Sequence, residues 1–123
     1  MAQRWVFISH PNVVIDPAIP VTRWPLSDLG RARMRAGLQQ PWVRELTALH
    51  CSTEQKAIDT AQLLADHLGL PFVQHEDLGE NDRSSTGFLP PPEFEHMAGA
   101  FFVNPTTSVR GWERAVDAQQ RIV

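Results

Sequence analysis

The sequence predicts an α/β fold, a mostly parallel sheet with helices on both faces, and three observations lead there. Residues 5–9, Trp-Val-Phe-Ile-Ser, are a short apolar run rich in β-branched side chains, the pattern of a strand buried on both faces. Strand-like and helix-like segments then alternate as far as Gln74, the order that βαβ units produce. At 123 residues the chain is long enough to bury a core and suits one domain spanning residues 1–123.

Each element has its own local cause. After the first strand, Pro11, Asp16, Pro17 and Pro20 oppose both helix and strand, so residues 10–25 should form a long loop over the strand's end. Ser27 can cap a helix through Leu29, Ala32, Met34 and Leu38, which Pro41 must end. Residues 46–51 read as a second strand. Ser52-Thr53-Glu54-Gln55 then forms a capping box, and Ala57, Ala61, Leu64 and Leu68 recur at helical spacing up to Gly69, a residue suited to a left-handed cap. Residues 71–74 suggest a third strand. Pro91 and Pro92 fit the first turn of a helix that carries Phe94, Met97, Ala98, Phe101 and Phe102.

A last helix should begin near Gly111. It runs to Val123 without a glycine, proline or cap, and three strands are few for a sheet covered by four helices, so the sequence reads as cut short.

Charge and composition exclude several classes of function. A formal net charge of -3 offers no general attraction to nucleic acid or to an anionic membrane, so any anion site must be a local pocket. The apolar run at the start is too short for a signal peptide or a membrane span. A single cysteine rules out an internal disulfide and points to a reducing compartment, the cytoplasm.

Among the chemically capable side chains, His10 is the best placed, because the ends of strands in open α/β sheets are where ligands bind. His50, His67, His75 and His96 show no pair at a spacing that metal binding favours, so no metal is expected. His50-Cys51 before a helix resembles the opening of a cysteine-dependent phosphatase loop. That loop needs an arginine six positions after the cysteine to grip phosphate with two donors, and position 57 is alanine. Cys51 therefore reads as a small buried thiol.

Four stretches, in order, resemble the histidine phosphatase superfamily, whose fold is that of phosphoglycerate mutase. Ser9-His10-Pro11 stands where the family has Arg-His-Gly. Pro25-Leu26-Ser27-Asp28-Leu29-Gly30-Arg31-Ala32 resembles its Pro-Leu-Thr-x-x-Gly-x-x-Gln-Ala. Cys51-Ser52-Thr53-Glu54-Gln55-Lys56-Ala57-Ile58-Asp59-Thr60-Ala61 resembles its Ser-Ser-x-x-x-Arg-Ala-x-x-Thr-Ala. Asp77-Leu78-Gly79-Glu80, followed by Gly87-Phe88, resembles the segment that introduces the family's acid.

The resemblance implies phosphoryl transfer from small phosphomonoesters through a phosphohistidine at His10, with no metal or organic cofactor. Glu80 would be the general acid, kept protonated by partial desolvation. Lys56 would hold the phosphate oxygens, with Ser9 beside the nucleophile and Arg23 as a loop cation able to swing in. Ser9 in place of arginine, Pro11 in place of glycine and Lys56 in place of arginine all depart from the pattern. The family's second histidine, on a later strand, has no counterpart in this chain.

A phosphatase is expected rather than a mutase, because Asn81-Asp82-Arg83 replaces the Arg-His-Tyr that commonly follows the glutamate in mutases. The expected ligand is a small phosphorylated substrate or inorganic phosphate, with no nucleic acid or membrane partner. The alternative is a degenerate, non-catalytic member that binds a phosphorylated ligand or a protein partner.

Overall fold

The computed structural model describes residues 3–122, so the end of the last helix at Val123 lies outside the described residues. It contains the strands β1 (Leu49–Cys51) and β2 (Phe72–Gln74) and the helices α1 (Asp28–Gly37), α2 (Gln55–Leu68), α3 (Pro91–Val103) and α4 (Ala115–Ile122). β1 and β2 run parallel with Leu49 opposite Phe72 and Cys51 opposite Gln74, and α2 connects them as a βαβ unit. The face of β1 that carries Leu49 and Cys51 is buried and packs on α2, whereas His50, Val73 and His75 are exposed. Helix cover is thus seen on one face of these two strands rather than on both.

Local signals explain the helices. Ser27 Oγ accepts from Gly30 N at 3.0 Å and starts α1. Gly69, at φ 67°, ends α2 in the left-handed conformation that glycine adopts without steric cost. The capping box is not formed. α2 starts at Gln55, Ser52 Oγ accepts from Glu54 N at 3.3 Å in a turn before the helix, and Gln55 reaches forward to Asp59 at 2.7 Å. The reason lies elsewhere in the chain, because the Glu54 carboxylate serves the loop around Glu80 and Glu54 takes the N-cap place itself. α3 starts on Pro91 as expected, whereas α4 starts four residues after Gly111.

The expected first strand does not pair. Residues 5–9 join no ladder, and Trp5 and Phe7 are 70% and 87% exposed. A strand exists only through its neighbour's hydrogen bonds, and none of the described residues supplies them to this arm. Among the described residues the sheet is accordingly two-stranded.

Burial divides into two clusters. Met34, Val43, Leu49, Leu64 and Ala65 form one between α1, α2 and β1. Met97, Phe101 and Trp112 form the other against α3, with Trp112 only 2% exposed and its indole N–H donating to Thr86 Oγ1 at 2.8 Å.

Candidate active site

His10 follows the unpaired arm, on a loop pinned to two helices. Ser27 N donates to Asn12 O at 3.1 Å, and Leu26 N donates to Asp59 Oδ2 of α2 at 3.1 Å. Gly30 is required at this crossing, because any Cβ there would run into the Asn12 carbonyl. The His10 Nδ1 lies 2.7 Å from Pro11 O. A carbonyl only accepts, so Nδ1 carries the hydrogen, and it is Nε2 that faces the site and would hold the lone pair whenever the ring is unprotonated. Pro11 thus loses a backbone donor but supplies the acceptor that orients the ring.

Lys56, the second residue of α2, is 4% exposed, and its ammonium lies 3.4 Å from Glu54 Oε2 and 3.1 Å from Glu80 Oε2. Arg83 donates to the same Glu80 oxygen at 2.7 Å and lies over the rings of Phe94 and Trp112, 5.1 and 5.9 Å from their centroids. The other Glu80 oxygen is 3.6 Å from His10 Nε2. The structure therefore brings His10, Lys56 and Glu80 together and adds Arg83. It leaves no phosphate-sized gap between His10 and Glu80, because the carboxylate itself fills that space.

This arrangement changes the expected state of Glu80. Burial pushes its carboxyl pKa upward, but the Lys56 charge and hydrogen bond, then the charges of Arg83 and His10, outweigh it and hold the group below its ordinary value. In the free site Glu80 is a carboxylate in a cage of donors. The expectation of a carboxyl kept protonated by desolvation is corrected for this state.

The Glu80 loop is held from behind. Glu54 Oε1 accepts from Glu80 N at 2.9 Å. Arg121 of α4 donates to the carbonyls of Asp77, Gly79 and Glu80 at 2.7, 3.0 and 3.0 Å and pairs with Glu113 at 2.7 Å. Glu113 in turn accepts from Asp82 N at 3.1 Å. Neither Arg83 nor Arg121 was identifiable as a site residue from sequence. Only the spacing of three between Glu80 and Arg83 hinted at a pair.

Ser9 lines a cavity of about 300 Å³ beside His10, Lys56 and Glu80, with no hydrogen bond through its hydroxyl among the described residues. Arg23 is not brought in. It sits exposed in a short 3-10 turn, Val21–Arg23, lines neither cavity at the site, and has no side-chain partner among the described residues. Cys51 is buried, and burial raises its thiol pKa, so it is no thiolate. Parallel pairing of β1 and β2 brings His50 Nδ1 within 2.9 Å of His75 Nε2, a proximity that spacing along the chain did not reveal. Among the described residues no group of three or more metal-ligating side chains assembles, and no helix is long and apolar enough to cross a membrane.

Residues 20–123 match the histidine phosphatase superfamily (branch 1). The chain belongs to this superfamily. The match begins after His10, so the place of that residue in this member of the superfamily rests on geometry. Two solved structures of a mycobacterial glucosyl-3-phosphoglycerate phosphatase share its fold. The native form aligns with a TM-score of 0.75 at 22% identity, and the complex with inorganic phosphate with 0.70 at 24%, each over 91% of this chain. The chain spans 56% and 55% of those two chains, little more than half their length. No curated protein matches it.

Proposed function

We propose that this histidine phosphatase hydrolyses small phosphomonoesters through a phosphohistidine on His10, without metal or organic cofactor. One observation carries the reading: His10 Nε2, Lys56 Nζ and Arg83 Nη2 all converge on a single carboxylate, 3.6, 3.1 and 2.7 Å away, at the mouth of a cleft. Such a constellation is built for an anion, and a phosphate dianion competes for Lys56 and Arg83 better than one carboxylate does. Membership of the superfamily and the phosphate-bound structural relative support a small phosphorylated ligand.

The chemistry follows from the exchange. Once phosphate takes Lys56 and Arg83, Glu80 loses the charges that hold its pKa down and faces new negative charge, so it binds a proton. A monoanionic phosphomonoester, whose second pKa is about 6, brings that proton with it. His10 Nε2 then attacks phosphorus, the ester P–O bond breaks, and Glu80 delivers its proton to the leaving alkoxide. The hydrogen bond from Nδ1 to Pro11 O steadies the charge on the phosphorylated ring. In the second half, water attacks phosphorus and gives a proton to the Glu80 carboxylate, the P–N bond breaks, and His10 returns neutral.

The test is a radiolabelled phosphoenzyme, acid-labile and base-stable, formed by the full chain during turnover. It should vanish in His10→Ala and persist in His67→Ala, whose histidine lies in the last turn of α2. Label surviving His10→Ala would overturn the assignment. A second reading, a non-catalytic binder of phosphorylated ligands, is favoured by Ser9, which adds no charge, and by Glu80, which already occupies the cations. Phosphate binding that depends on Lys56, with no phosphoenzyme formed, would select it.

A further inference from the structure

We infer that the alcohol portion of the substrate is aromatic and about as large as a fused bicyclic ring, not a polyol or sugar. This deepens the proposed function and rests on the anion site at His10, Lys56 and Glu80. Those three residues also border a second cavity of about 620 Å³, which opens directly from the site. Trp24, Phe88, Phe94, Phe101, Phe102 and Trp112 line it, together with Arg83. The volume lies within the range of small-molecule pockets.

What the walls can offer decides the class of ligand. Both indole N–H groups are already engaged, Trp24 Nε1 with the carbonyls of Asp16 and Ile19 at 2.9 and 3.2 Å, and Trp112 Nε1 with Thr86 Oγ1 at 2.8 Å. What remains for a ligand is ring surface, chiefly that of Phe88, Phe94 and Phe102, because Trp24, Phe101 and Trp112 are themselves almost fully buried behind them. A sugar placed here would give up water for its several hydroxyls and meet few partners, whereas an aryl group would gain burial and stacking. The polar residues that line it, His10, Lys56, Glu80, Asn81, Arg83 and Glu95, are outnumbered by apolar ones, and the first three belong to the anion site itself.

Calorimetry on the full chain tests this with ligands that cannot be hydrolysed. (1-Naphthylmethyl)phosphonate should bind at least about tenfold more tightly than methylphosphonate, the gain expected from burying one bicyclic ring against aromatic walls. Glucose 6-phosphate should show no such gain. Phe88→Ser, at a half-buried ring beside Trp24, should shrink the naphthyl preference, and Lys56→Met should weaken all three ligands together. Equal affinity for the two phosphonates, or tighter binding of the sugar phosphate, would overturn the inference. That comparison on the unaltered chain decides it even if Phe88→Ser fails to fold. If Lys56-dependent binding persists without aryl preference, only the substrate class falls. If Lys56→Met changes nothing, the anion site itself is wrong.

Discussion

The two halves of the site are supported very differently. Glu80 is held by Glu54 through its own amide and by Arg121 through contacts to the carbonyls of Asp77, Gly79 and Glu80, with Glu113 closing the network onto Asp82. His10 hangs from an arm, residues 5–9, that makes no backbone hydrogen bond among the described residues and exposes Trp5 and Phe7. Its firm support comes from the other side, where Asn12 is pinned to the start of α1. The contrast teaches that the anion-binding half of the site is preorganised by side chains of α2 and α4, while the nucleophile is positioned by one loop crossing.

Stability measurements should expose this asymmetry. Trp112→Ala removes the most buried aromatic residue of the second cluster and should cost about 3–5 kcal/mol in urea unfolding. Phe7→Ala, on the exposed arm, should stay within about 0.5 kcal/mol. Similar costs for the two would mean that the arm is packed and the contrast false.

A smaller effect should follow at the crossing. Gly30→Ala forces a methyl against the Asn12 carbonyl and should cost about 1–3 kcal/mol as the loop shifts. The shift should move His10 away from Glu80, so phosphoenzyme formation should fall more than phosphate affinity, which rests on Lys56 and Arg83. Equal losses in both would show that the two halves move together.

The smallest expected effect is at Arg23, which lies exposed and outside both cavities. Arg23→Ala should leave the phosphate dissociation constant within about twofold, the range of surface substitutions. A tenfold loss would mean that the loop swings in when anion binds.

Much of the fold was legible because its causes are local. Ser27 as a cap, Gly69 as a left-handed terminus and Pro91 at the first turn of α3 each act within a few residues. Residues 5–9 misled because an apolar β-branched run states only that a strand is possible, and pairing is decided by whichever chain lies alongside. The capping box failed for a related reason, since Glu54 is recruited by Glu80, 26 residues later. At the site, His10, Lys56 and Glu80 were identifiable from motif resemblance. Arg83 and Arg121 were not, because one is ordinary in sequence and the other acts across more than forty residues.

The central claim is that phosphate displaces the Glu80 carboxylate from Lys56 and Arg83 and so turns it into an acid. A ¹³C NMR titration of the Glu80 side-chain carboxyl, with and without saturating inorganic phosphate, tests it most directly. Without phosphate the midpoint should lie below the ordinary glutamate value, because the neighbouring cations favour the charged form. With phosphate bound to those cations the midpoint should rise above that value. A midpoint that stays low, or falls further, when phosphate binds would contradict the account.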